Sequence, residues 1–151
     1  MMKFDAGIGG TLIAERLLAE QPVAEPAEGA PSPRRERTTR ALVVAPTREL
    51  AAQVARELSW LFAGSKLRTA AFTGGTAITG DLKQLRTGVD IVVGTPGRLA
   101  DLHRRAALSL AAVEVLVLDE ADEMLDLGFR EELEYLLGQS PSSRRTLMFS
   151  A

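Results

Sequence analysis

The stretch Val115-Leu116-Val117-Leu118-Asp119-Glu120-Ala121-Asp122 constrains this chain more than any other. A continuous Val/Leu run reads as a strand covered on both faces, the kind found inside a parallel sheet. Three carboxylates follow at its carboxyl end, the side on which open α/β sheets bind ligands. Carboxylates at such an edge suit a hydrated Mg²⁺ and a water aimed at a phosphate. The same residues suit a helix with an acidic first turn, which the helix dipole favours. Taken alone, they leave both readings open.

Further strands flank this one. Residues 41–45 (Ala-Leu-Val-Val-Ala) form a second buried strand, ended by Pro46. Thr47-Arg48-Glu49 then opens a helix with Leu50, Val54, Leu58 and Leu61 on one face. Thr47 is a suitable N-cap and Glu49 suits the first turn. Residues 69–72 read as a short strand followed by Gly74-Gly75, where the backbone can turn sharply or approach a ligand. Leu82 and Leu85 suggest a short helix up to Gly88. Residues 89–93 form a strand ending in Gly94-Thr95-Pro96-Gly97-Arg98, and a helix with Leu99 and Leu102 follows. Pro96 suits the first helical turn, and Thr95 can cap. Free N–H groups at that terminus, with Arg98 beside them, suit a phosphate. A well-capped helix with a surface Arg accounts for the same residues. His103 shows no partner pattern and reads as a surface residue. Phe129, Leu133, Leu136 and Leu137 mark another helix, ended by Gly138 and Pro141. Residues 146–149 form a last strand, with Ser150-Ala151 behind it. Strand and helix alternate and polar groups collect at strand ends. The expected fold is a three-layer α/β/α sandwich on a mostly parallel sheet.

The N-terminus is less regular. Asp5-Ala6-Gly7-Ile8-Gly9-Gly10-Thr11 reads as a glycine-rich turn, and Leu12, Ile13, Leu17 and Leu18 place a helix over residues 11–20. A glycine loop that opens a helix can turn backbone N–H groups to a phosphate. The pattern G-x-x-x-x-G-K-[ST] fits residues 4–11 imperfectly. Phe4 replaces the first Gly and Gly10 replaces the Lys, while Thr11 keeps the Mg²⁺-hydroxyl position. A plain glycine turn explains these residues equally. Residues 21–40, with Pro22, Pro26, Pro31 and Pro33, read as a solvated loop. Its basic run Arg34, Arg35, Arg37 and Arg40 is expected to be solvated too.

Composition removes several alternatives. The chain has no cysteine and one histidine, so thiolate metal sites, zinc clusters and Cys/His nucleophiles are excluded. Lys plus Arg number 18 and Asp plus Glu 20, a net charge of −2, so nucleic-acid binding must use a local patch. No apolar run approaches the roughly 18 residues of a membrane span. There is no signal-peptide h-region, and a cytoplasmic protein without membrane partners is expected.

Pro46-Thr47-Arg48-Glu49-Leu50-Ala51, Gly74-Gly75, Thr95-Pro96-Gly97-Arg98, Asp119-Glu120-Ala121-Asp122 and Ser150-Ala151 stand together in this order. The set resembles the first RecA-like domain of DEAD-box ATP-dependent RNA helicases, a P-loop NTPase fold, over residues 40–151. The continuation Glu123-Met124-Leu125-Asp126-Leu127-Gly128-Phe129 is similar to this family rather than to its DEAH or DNA-helicase relatives. The resemblance implies ATP and Mg²⁺ as cofactors, with Asp119 holding Mg²⁺ through water and Glu120 activating the attacking water. It implies a hydrogen bond between Asp122 and Ser150 that couples nucleotide to RNA. It implies an RNA path along Pro46, Thr47, Arg48, Gly74, Gly75, Thr95, Gly97 and Arg98, touching phosphates and 2′-hydroxyls without reading bases. By the same resemblance Gly7, Gly9, Gly10 and Thr11 occupy the P-loop, Thr11 with its hydroxyl toward Mg²⁺. Gly10 stands where the family has Lys, which removes a cation needed beside the β/γ phosphates.

The second RecA-like domain of the family is expected after residue 151 and is absent from the sequence. The chain therefore reads as a truncated, degenerate N-terminal domain of an RNA helicase, inactive alone as an ATP hydrolase. The alternatives are a non-catalytic RNA-binding module or a truncated product without function. If residues 1–4 do not pair as a strand, the last strand lacks a neighbour and the domain is prone to association.

Overall fold

The computed structural model describes residues 6–19 and 38–150. Its elements alternate as expected: α1 (Ala6–Ala19), β1 (Ala41–Val44), α2 (Arg48–Leu61), β2 (Thr69–Phe72), α3 (Ile78–Arg86), β3 (Ile91–Gly94), α4 (Pro96–Arg104), β4 (Val115–Asp119), α5 (Ala121–Asp126), α6 (Arg130–Gln139) and β5 (Arg145–Phe149). The five strands form one sheet in the order β2-β3-β1-β4-β5. All four pairings are parallel, with Phe72, Gly94, Val44, Leu118 and Met148 level across the sheet.

Each strand sends alternate residues to opposite faces, so a sheet covered on both sides needs apolar residues at every position. In β1, Leu42 and Val44 join one core with Phe72, Leu99, Leu102, Leu116, Leu118, Met124, Leu133 and Leu136, under α3 to α6. Ala41, Val43 and Ala45 join the other with Ile13, Leu17, Val54, Leu58, Val115 and Val117, under α1 and α2. This is the three-layer sandwich. The interior strands β1, β3 and β4 are buried throughout. β2 alternates between half-buried and buried residues, as an edge strand does. β5 pairs only with β4 among the described residues, and Met148 is 65% exposed there. Residues 1–4, whose pairing the sequence left open, lie outside the described residues.

Several sequence expectations change. The glycine-rich segment is helical: α1 begins at Ala6 and runs through Gly7, Gly9 and Gly10. Packing explains why a helix tolerates them, because a Cβ on Gly10 would overlap Leu61 Cδ2 of α2. Close helix approach, not a turn, uses that glycine. β3 spans Ile91–Gly94 rather than 89–93. Arg40 is no solvated loop residue. Its Nε and Nη2 lie 2.8 and 2.7 Å from Glu114 Oε2, and its Nη1 donates to the Leu17 carbonyl at 3.2 Å. The rest of that basic run, Arg34, Arg35 and Arg37, lies outside the described residues. His103 has a partner: its Nδ1 is 2.7 Å from the Tyr135 hydroxyl, and Arg104 lies over the Tyr135 ring.

Candidate functional site

Because the strands are parallel and in register, everything that follows a strand emerges on one edge of the sheet. The strand order then ranks the sequence motifs along it: Gly74-Gly75 after β2, Thr95 to Arg98 after β3, Pro46 to Arg48 after β1, Asp119-Glu120 at the end of β4 and Ser150 after β5. The RNA-path residues named from the resemblance are therefore neighbours, and the carboxylates lie beside them.

Local chemistry holds each piece. Thr47 caps α2, its side chain accepting from the Leu50 N–H at 3.2 Å. α4 begins with Pro96, whose missing N–H costs nothing at that position. Thr95 stands at the N-cap but makes no side-chain capping bond, contrary to the sequence expectation. First-turn N–H groups have no intrahelical acceptor, so those of α4 remain for something else. Gly75 adopts φ +87°, in the left-handed region where glycine is at ease. A Cβ there would overlap Arg48 Nη1.

Two arginines fasten the Gly74–Thr76 turn. Arg48 Nη1 donates to the Gly74 carbonyl at 3.3 Å, and Arg98 Nη2 donates to the Thr76 carbonyl at 2.5 Å. Arg98 Nη1 also lies 3.3 Å from Asp81 Oδ2 on α3. That oxygen is buried and makes no hydrogen bond, so its contact with Arg98 is one of charge rather than of aligned donor and acceptor. Burial pushes the Asp81 carboxyl above its ordinary pKa, against the opposing pull of Arg98. Between these elements runs an open groove lined by Gly74, Thr76, Thr95, Gly97, Arg98 and Phe129. Sequence reasoning missed Asp81, Thr76 and Phe129 as members of this site. Asp81 precedes Leu82 in the sequence, and nothing local points it at a residue 17 positions later.

At the other end of the edge, Asp119 is 1% exposed. Glu120 sits at φ 50°, ψ 52°, a left-handed conformation rare for a residue with a side chain. Such strain collects at functional turns. α5 starts directly after it, with Asp122 and Glu123 in its first turn. The acidic helix start is therefore correct for Asp122 and Glu123, while Asp119 ends the strand and Glu120 is the N-cap between strand and helix. Asp122 and Ser150 make no hydrogen bond to each other. Gly10 is not part of this edge. It packs on Leu58 and Leu61 in the last turn of α2, toward the amino ends of the strands. Gly7, Gly9 and Thr11 share its helix. The structure thus places Gly10 away from the carboxylates.

A parallel sheet layered between helices, with its polar groups along the carboxyl edge, defines an open α/β domain of the RecA-like kind. Two solved structures share it. A DEAD box protein from the hyperthermophile Methanococcus jannaschii superposes with a TM-score of 0.72 at 44% identity, over 76% of this chain and 31% of that one. The yeast DEAD-box splicing factor Prp28 gives 0.69 at 38% identity, over 75% and 28%. The sequence model of the DEAD/DEAH box helicase family matches residues 1–151, and the chain belongs to that family. Its relatives include DEAD-box ATP-dependent RNA helicase 9 of Oryza sativa subsp. japonica, 53% identical over 74% of this chain. DEAD-box ATP-dependent RNA helicase CshA of Streptococcus pneumoniae is 49% identical over 77% of this chain. The chain spans 17% and 22% of the length of these two relatives. Among the described residues no helix is long and apolar enough to cross a membrane.

Proposed function

We propose that this chain is the RNA-gripping part of a DEAD-box RNA helicase domain, binding the sugar-phosphate backbone without reading bases and hydrolysing no ATP by itself. The supporting observation is the convergence of the Gly74–Thr76 turn and the start of α4 on one groove at the strand carboxyl ends, with Arg48 bonded to that turn. Backbone N–H groups, glycines and arginines suit phosphates and 2′-hydroxyls. Among the described residues the only aromatic ring lining the groove is Phe129, against a base-stacking platform.

ATP and Mg²⁺ fit the described residues poorly. Gly7 to Thr11 form helix instead of a phosphate loop, and Gly10, at the lysine position, packs on the last turn of α2. We assign no hydrolytic step to this chain. ATP-dependent unwinding belongs, in this reading, to a protein of its relatives' length.

Fluorescence anisotropy with a labelled single-stranded oligouridylate, alongside an RNA-stimulated phosphate-release assay, tests the proposal. Binding that weakens with salt, with phosphate release at background, is expected. For a single strand each phosphate contact weakens binding roughly threefold between 50 and 200 mM salt. Salt-insensitive binding, or steady ATP turnover, overturns the reading.

A further inference from the structure

The two arginines that hold the Gly74–Thr76 turn differ in how much of their charge remains for a ligand. Arg98 has a side chain 9% exposed, and both of its terminal nitrogens face protein acceptors, Thr76 O and Asp81 Oδ2. The Asp81 side chain is itself only 15% exposed. A phosphate entering the groove therefore meets a neutral pair. If Arg98 left for that phosphate, Asp81 would be stranded as a buried, uncompensated carboxylate, which is strongly unfavourable. Arg48 is exposed and holds Gly74 O with one nitrogen. Among the described residues no carboxylate lies within 4.0 Å of it. Its charge is uncompensated and its remaining donors are available.

We propose that Arg98 is a positioning residue, neutralised by Asp81, which locks the Gly74–Thr76 turn to α3 and α4, and that Arg48 is the cation that meets the RNA phosphate. The proposal rests on the RNA reading of this edge and divides labour within it. The lock works through the Thr76 carbonyl: pinning it fixes the turn's peptide planes and hence the direction of its N–H groups. Asp81 supplies the charge that keeps Arg98 inside. The turn is thus held from both sides, by a buried neutral fastener and by an exposed charged one.

The salt dependence of RNA binding separates the two roles, because its slope counts phosphate contacts, about 0.7 per contact for a single strand. The slope is measured for the wild-type chain, Arg48→Ala, Arg98→Ala, Asp81→Asn and the double variant Asp81→Asn/Arg98→Ala. Arg48→Ala is expected to lower it by about 0.7. Arg98→Ala is expected to weaken binding at every salt concentration and leave the slope unchanged. Asp81→Asn keeps the shape of the lock but uncovers the Arg98 charge, so the slope steepens by about 0.7, and adding Arg98→Ala returns it to the wild-type value. A slope reduced by Arg98→Ala as much as by Arg48→Ala, or left unmoved by Asp81→Asn, overturns the proposal. If Arg98→Ala does not fold, the comparison of Asp81→Asn with Arg48→Ala decides. If the wild-type chain binds no RNA, the proposed function fails. The Asp81–Arg98 lock is then read by urea melts of the two single variants and the double variant, where additive effects refute it and coupled effects sustain it.

Discussion

Replacing Gly75 by Ala places a Cβ where the backbone sits at φ +87° and where the Arg48 guanidinium already lies. Two costs follow. A Cβ in a left-handed conformation costs about 1–2 kcal/mol. Pushing Arg48 aside breaks its 3.3 Å bond to the Gly74 carbonyl, worth about 0.5 kcal/mol at an exposed site. Against them stands the lower entropy of an unfolded chain with Ala in place of Gly, about 0.4–1 kcal/mol. The net is a destabilisation of about 1–2 kcal/mol, or roughly 3–6 °C in melting temperature for a chain of this size. Circular dichroism at the helix band reads it directly. The same substitution takes Arg48 off the turn, so the salt slope of RNA binding falls by about 0.7. In an Arg48→Ala background that second effect vanishes while the backbone strain persists. A Gly75→Ala protein that melts within a degree of wild type refutes the strained turn. A slope that falls again in the Arg48→Ala background refutes the contact between the two residues.

Glu120→Gly relieves a left-handed residue and should raise stability by about 1 kcal/mol, seen as a higher urea midpoint; an unchanged midpoint contradicts the strain. The His103 imidazole is held below its ordinary pKa of 6.5 by burial and, secondarily, by Arg104. The fold thus favours the neutral ring: its contribution is complete above the unfolded pKa and is lost as pH falls through the lowered one. Melting temperature should decline across that window in wild type and stay flatter in His103→Gln, and parallel profiles would contradict the assignment. Gly10→Lys restores the lysine of the phosphate-loop pattern at a helical position packed on Leu61. It should cost about 1–2 kcal/mol, as overpacking outweighs a small gain in helix propensity. It should confer no binding in a fluorescent ATP-analogue titration, and micromolar binding would contradict the helical placement.

What the sequence made legible follows the range of the forces involved. β1, β3 and β4 are apolar at every position because both sheet faces are covered, so the run of side chains alone marks them as interior strands. Parallel order then places Arg48, Gly74, Thr95 and Asp119 on one edge, which is why motifs scattered over the sequence could be read as one site. Residues 7–11 misled because three glycines suggest a turn locally, whereas contact with Leu61 and Leu58 selects a helix. Arg40 and Glu114 are 74 positions apart, His103 and Tyr135 are 32 apart. The first is set by the pairing of β1 with β4, the second and Asp81 with Arg98 by how α3, α4 and α6 stack on the sheet, and no local pattern encodes them.

The strand-end groove is expected to grip RNA through its backbone and to do so without nucleotide. Anisotropy titration of the wild-type chain with single-stranded RNA at 50 and 200 mM salt, each with and without Mg²⁺ and a non-hydrolysable ATP analogue, tests it most directly. Binding should weaken at least roughly threefold over that salt range, with identical curves whether or not nucleotide is present. Binding that requires the nucleotide, or no binding at either salt concentration, would contradict it.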